Sequence, residues 1–165
     1  MNGPYPKGLR AYLPNGQLVE HSDKGCASEA RRRLYENLPA WYRLVKLTES
    51  MSGLRNGLVT ADPAYRKAVA QWSRCMRGSG FRYPTPAHSR AAGLAGNPLT
   101  GRAAEIRLAV AEATCAGSSG LARTVKTLDR HYDGVLRRRF QSEMLTEQKL
   151  QVGALGRARA IVSRG

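Results

Sequence analysis

Residues Asp62 to Gly80, DPAYRKAVAQWSRCMRGSG, constrain the fold more than any other stretch of this chain. Asp62-Pro63 reads as an N-cap followed by a first helical residue. The carboxylate accepts orphan backbone N–H bonds, and proline gives up an N–H that had no partner. Tyr65, Ala68, Val69, Trp72 and Met76 then recur at i, i+3, i+4, i+7 and i+11, a continuous apolar stripe. Cys75 lies at the edge of that stripe, and Gly78 or Gly80 can end the helix in a left-handed conformation. Trp72 brings the largest buriable surface, so other helices are expected to collect on this face.

The rest of the chain supports an all-α reading. Its 165 residues are enough for one domain with a real core. Aromatics make up 7%, and alanine dominates the apolar residues, which favours closely packed helices over a sandwich of strands. The expectation is a single-domain irregular bundle of about five to six helices over residues 25–165, preceded by an extended N-terminal arm over residues 1–24. In that arm Pro4, Pro6, Gly8 and Pro14 break helices. Pro14-Asn15-Gly16 suggests a turn between extended pieces at Leu9–Leu13 and Gln17–Glu20. Two such pieces are marginal alone, so the arm is ordered only if it docks.

Helices are expected from Cys26 to about Tyr35 and over residues 40–59. In the latter, Trp41, Leu44, Val45, Leu47, Met51, Leu54 and Leu58 are the apolar positions. Phe81 to Thr100 is the least regular interior stretch. Tyr83 and Thr85 precede prolines and are therefore extended, and Thr85-Pro86 starts a short helix ending near Leu94. Phe81 and Tyr83, flanked by arginines, match either a nucleic-acid stacking element or, more commonly, a pin holding a loop to the core.

From Gly101 to Ala116, Ile106, Ala109, Val110 and Ala113 form one apolar face, while Leu108, Ala111 and Cys115 form a second. A helix apolar on two sides is expected to be sandwiched and central. Gly117-Ser118-Ser119-Gly120 is a capping turn. Leu121, Val125, Leu128, Tyr132 and Val135 then extend a helix to about Leu145. A last helix starts at a capping-box-like Thr146 and frays toward Gly165.

The formal charge is +15, from 27 basic and 12 acidic residues. The excess is +3 over residues 1–62 and +6 over each of residues 63–116 and 117–165. It is not confined to a tail, and a generic solvated basic surface accounts for it better than a dedicated polyanion site. The triple arginine Arg31–Arg33 sweeps round its helix and cannot form one ridge. Arg137, Arg138 and Arg139 are the best candidate contact for weak, non-specific polyanion binding, with at most two of them able to face one partner.

No catalytic signature is present. His21, His88 and His131 sit by no motif, there is no paired CxxC, and GSSG at 117–120 lacks the features of a phosphate loop. A site built from Cys26, Cys75, Cys115 and one histidine has no metal-ligand spacing behind it. The chain is read as non-enzymatic and without cofactor. No run is long enough for a membrane span, and residues 1–24 lack an apolar signal-peptide core, so export is unused or its leader is not in this chain. Cys75 and Cys115 both close helices, where a bridge can clamp two packed helices. Two buried free thiols in a reducing compartment are the alternative. Cys26 is left unpaired unless it competes for one of them.

Three blocks carry a resemblance. Gly25-Cys26 with Glu29-Ala30-Arg31 and Leu34 is followed by Trp72-Ser73-Arg74-Cys75-Met76 and Gly80-Phe81-Arg82-Tyr83-Pro84, then by Glu105-Ile106, Ala109-Val110-Ala111 and Cys115. The pattern resembles a group of uncharacterised actinobacterial exported or lipoprotein-like proteins over about residues 25–140. The chain departs from it at Glu112, where aspartate is usual, and at Ala116, where lysine is usual. The resemblance implies a helical fold and a Cys75–Cys115 bridge, and it implies no activity. The expected function is therefore a binding or structural role in the cell envelope or exterior, with an unknown protein or envelope partner. The alternative is a basic cytoplasmic nucleic-acid-binding protein.

Overall fold

A computed structural model describes residues 8–94 and 101–163. Pro4, Pro6, Pro98 and the terminal Arg164-Gly165 lie outside the described residues. Along the chain come β1 (Leu9–Tyr12), β2 (Leu18–His21), α1 (Cys26–Tyr35), α2 (Leu38–Ala61) and α3 (Pro63–Gly78). They are followed by α4 (Pro86–Leu94), α5 (Gly101–Ser118), α6 (Leu121–Arg139) and α7 (Gln141–Val162). The protein is all-α apart from one small hairpin, with seven helices among the described residues. The chain divides into two compact units. One comprises residues 56–133, the other residues 1–55 and 134–165, and the divisions fall within α2 and α6.

The unit of residues 56–133 is built on α3. Asp62 caps it, its carboxylate accepting the Ala64 N–H at 2.7 Å, with Pro63 in the first turn. The same carboxylate accepts the Tyr132 hydroxyl at 2.8 Å. That hydroxyl, and then the Ala64 N–H, hold the Asp62 carboxyl below its ordinary range, while the bond to Asp62 pushes the Tyr132 phenol up. At the other end Gly80, with φ of 86°, supplies the left-handed residue, and the Phe81 N–H bonds back to the Met76 carbonyl at 2.9 Å. The expected stripe is the core: Ala68, Val69, Trp72 and Met76 are buried with Cys115 and Leu121. Phe81, Tyr83, Leu108, Ala111 and Val125 pack around them. Ser119 Oγ accepts the Leu121 N–H at 3.3 Å, so the 117–120 turn caps α6.

α5 departs from expectation. Leu108, Ala111 and Cys115 face the core, but Ile106 is 53% and Val110 60% exposed. Among the described residues α5 packs chiefly on α3, and its second apolar face, Ile106, Ala109, Val110 and Ala113, is exposed. It is peripheral on that side rather than sandwiched.

In the other unit, β1 and β2 pair antiparallel with Leu9 opposite His21 and Tyr12 opposite Leu18. Leu9 and Ala11 alternate inward and are buried with Leu38 and Tyr42 of α2, which supplies the docking the arm needs. Gly8 passes so close to β2 that a Cβ there would sit 2.3 Å from the His21 carbonyl oxygen. Tyr42, not Trp41, is the buried aromatic of α2. Trp41 instead stacks on Tyr35 at 4.8 Å, with the Arg31 guanidinium 5.3 Å above its ring.

α1 packs on α7. It ends at Glu36, which holds a φ of 58°, a left-handed conformation strained for a residue with a Cβ. Arg157 of α7 secures this end by donating to the Leu34 carbonyl and pairing with the Glu36 carboxylate at 3.1 Å. The break between the last two helices falls at Phe140 rather than near Leu145. Thr146 is not a cap. Its hydroxyl donates back to the Ser142 carbonyl at 2.7 Å inside a continuing helix.

Candidate functional site

Two features of the unit of residues 56–133 place chemically useful groups together. The first is the pair Cys75 and Cys115. α3 and α5 each carry one cysteine in the last turn, and these turns lie side by side at disulfide-bonding distance, with Cα atoms 5.6 Å apart. Cys115 is buried and Cys75 partly so. Ser118 Oγ lies 3.7 Å from the Cys75 sulfur and Ser79 Oγ 3.9 Å from that of Cys115. Cys26 is a free, exposed thiol. One helix further out, buried Ser89 of α4 donates to the Glu112 carboxylate of α5, which gives that acidic side chain a structural partner.

The second feature is a cleft of about 550 Å³ between α3 and the loop that follows it. Ala70, Ser73 and Arg77 recur at i, i+3 and i+7 and present one helix face to it. Arg82, Tyr83 and Pro84 form the opposite wall. Pro84 favours an extended Tyr83, as its position requires. The buried Ser73 hydroxyl donates to the Tyr83 carbonyl at 2.8 Å and accepts from the Arg77 guanidinium at 3.0 Å. One small polar side chain thus ties the loop to the helix and orients an arginine. Phe81 and Tyr83 stack on one another at 6.4 Å and pack against the core, so they pin the loop.

The arginine run Arg137–Arg139 lies in the last turn of α6. Arg137 and Arg138 line a cleft of about 530 Å³ with α7 residues that include Glu147, Gln148 and Gln151. The Arg139 guanidinium sits 5.2 Å from the Phe140 ring instead. A carboxylate among the lining groups offsets the positive field there. Arg31, Arg32 and Arg33 also diverge. Arg31 covers Trp41, Arg32 reaches the Glu29 carboxylate and the Asp23 carbonyl, and Arg33 also reaches Glu29. The two guanidiniums hold the Glu29 carboxyl below its ordinary range.

The histidines are dispersed. His21 stacks on Tyr42, His88 bonds locally to Thr85, and His131 meets Tyr132 edge-on. No group of three or more metal-ligating side chains comes together among the described residues, and no helix there is long and apolar enough to cross a membrane.

Ser73, Ser89 and Tyr132 were not legible as working residues. Serines among larger neighbours carry no periodic signal, and Tyr132 finds Asp62 across seventy positions. Ser73 lies four residues from both Val69 and Arg77, on the inner edge of the stripe. No family model matches the chain, and neither curated proteins nor solved structures provide a significant match.

Proposed function

We propose that this protein is a non-enzymatic binding or structural component of the actinobacterial cell envelope or exterior. The observation that carries the reading is the Cys75–Cys115 pair, held at 5.6 Å between Cα atoms in the core of its unit. A pair so placed oxidises readily where the surroundings are oxidising, and there it fastens two helices of a small core. The side chains on α3 and the loop after it, arginines, hydroxyls and an aromatic ring, are groups suited to binding.

Fractionation of an actinobacterial host expressing the gene from its own start, followed by peptide mapping without reductant, tests the proposal. The expected result is the chain in the envelope or medium, with Cys75 joined to Cys115 and Cys26 open to alkylation. A cytosolic chain with all three thiols alkylated overturns it and favours the basic nucleic-acid-binding alternative.

A further inference from the structure

We infer that the cleft between α3 and the Arg82–Pro84 loop binds a phosphomonoester. This names a ligand class for the binding role proposed above and rests on that reading.

The cleft is rich in donors. Arg77 and Arg82 line it, no ion pair involves either among the described residues, and none of the six lining residues is acidic. Arg77 is held in place by a hydroxyl on Ser73, which is 6% exposed, so part of its ordering cost is met before any ligand arrives. Tyr83 lines the same cleft, and its hydroxyl, without a hydrogen-bond partner among the described residues, is a neutral donor within this wall. Two guanidiniums with no acidic neighbour on one cleft suit a phosphomonoester, whose charge is close to twice that of a carboxylate and whose three terminal oxygens can serve both.

Size narrows the class. About 550 Å³ lies within the range of small-molecule sites and exceeds what inorganic phosphate fills. Ala70, Pro84 and the Tyr83 ring supply apolar walls for the organic part. The remaining volume admits a compact organic group. The same phosphate chemistry is offered by a soluble sugar phosphate and by a phosphomonoester headgroup on a lipid surface. The Arg137–Arg138 cleft differs on the deciding point, because Glu147 is among its lining residues.

The test uses the full chain with its cysteines oxidised. One arm titrates ribose 5-phosphate, with ribose as the control, by calorimetry. The other sediments the protein with phosphatidylcholine vesicles with and without phosphatidic acid. Arg77→Gln with Arg82→Gln is expected to weaken the responding arm by about tenfold or more, since each guanidinium contributes charged hydrogen bonds. Tyr83→Phe, which removes only the hydroxyl, is expected to weaken it by a smaller factor.

Arg137→Gln, Arg138→Gln and Arg139→Gln together remove more charge and are expected to change binding by no more than about twofold. A response to ribose 5-phosphate assigns a soluble ligand, and a response to phosphatidic acid alone assigns a headgroup. The cleft is overturned if neither arm responds while circular dichroism and the disulfide are intact. It is equally overturned if the triple variant loses as much as the double. Either failure leaves the exported, disulfide-clamped reading standing, because fractionation and peptide mapping decide that separately.

Discussion

α3 and α5 carry the two cysteines of one pair and pack against each other, yet they use their apolar residues in opposite ways. On α3 every member of the stripe from Ala68 to Met76 is buried, with Trp72 at 1% exposure. On α5, Leu108, Ala111 and Cys115 are spent on the core while Ile106 and Val110 remain in contact with solvent. Periodicity is a property of one helix, whereas burial needs a partner on each face. The contrast also separates two ways of holding a helix. α3 is held by volume along its length, whereas the cysteine end of α5 joins the same cluster within disulfide-bonding distance of Cys75.

The contrast breaks most sharply at Trp72. Trp72→Ala is expected to cost about 3–5 kcal/mol, because the side chain is large and enclosed, and a loss of that size unfolds a marginal domain. Thermal and urea melts check it. A variant melting like the parent would show that the α3 stripe is not the keystone.

A smaller loss is expected on opening the clamp. In oxidised protein, replacing Cys75 and Cys115 by serine removes a closure spanning a sequence separation of 40, worth about 2–4 kcal/mol. The urea midpoint should fall, and adding reductant to the parent should reproduce most of the shift. A parent whose midpoint ignores reductant would mean that packing alone holds α5.

The least effect is expected on the outer face of α5. Ile106→Thr with Val110→Thr should change stability by no more than about 1 kcal/mol, the range of surface substitutions. A loss beyond about 2 kcal/mol would show that this face is covered in solution and would erase the difference between the helices.

What could be read beforehand followed from local rules. The Asp62-Pro63 cap, the α3 stripe, the Pro86 start of α4 and the hairpin turn each depend on residues a few positions apart. Cys75 and Cys115 lie within disulfide-bonding distance because each closes its own helix and the two helix ends meet. The failures share a different cause. Burial of Tyr42 over Trp41, exposure of Ile106, and the break at Phe140 are decided by which element packs where. Nothing within a few residues reports that. Thr146 shows the same limit from the opposite direction, since a sound capping sequence inside a favourable helix bonds to its own preceding turn. The cleft was half legible: its arginines and aromatics were visible, but Ser73, which orders one of them, was not.

Arg157 has a consequence for the order in which the chain matures. Its bond to the Leu34 carbonyl joins residues 123 positions apart, and its pairing with Glu36 holds the strained end of α1. On a ribosome adding about 5–20 residues per second, roughly 6–25 s separate the emergence of those partners. Residues 56–133, by contrast, contain both cysteines and the whole Trp72 cluster in one uninterrupted run. The nascent chain can therefore close its inner segment first, while α1 waits with an unsecured end for the last helix to be made.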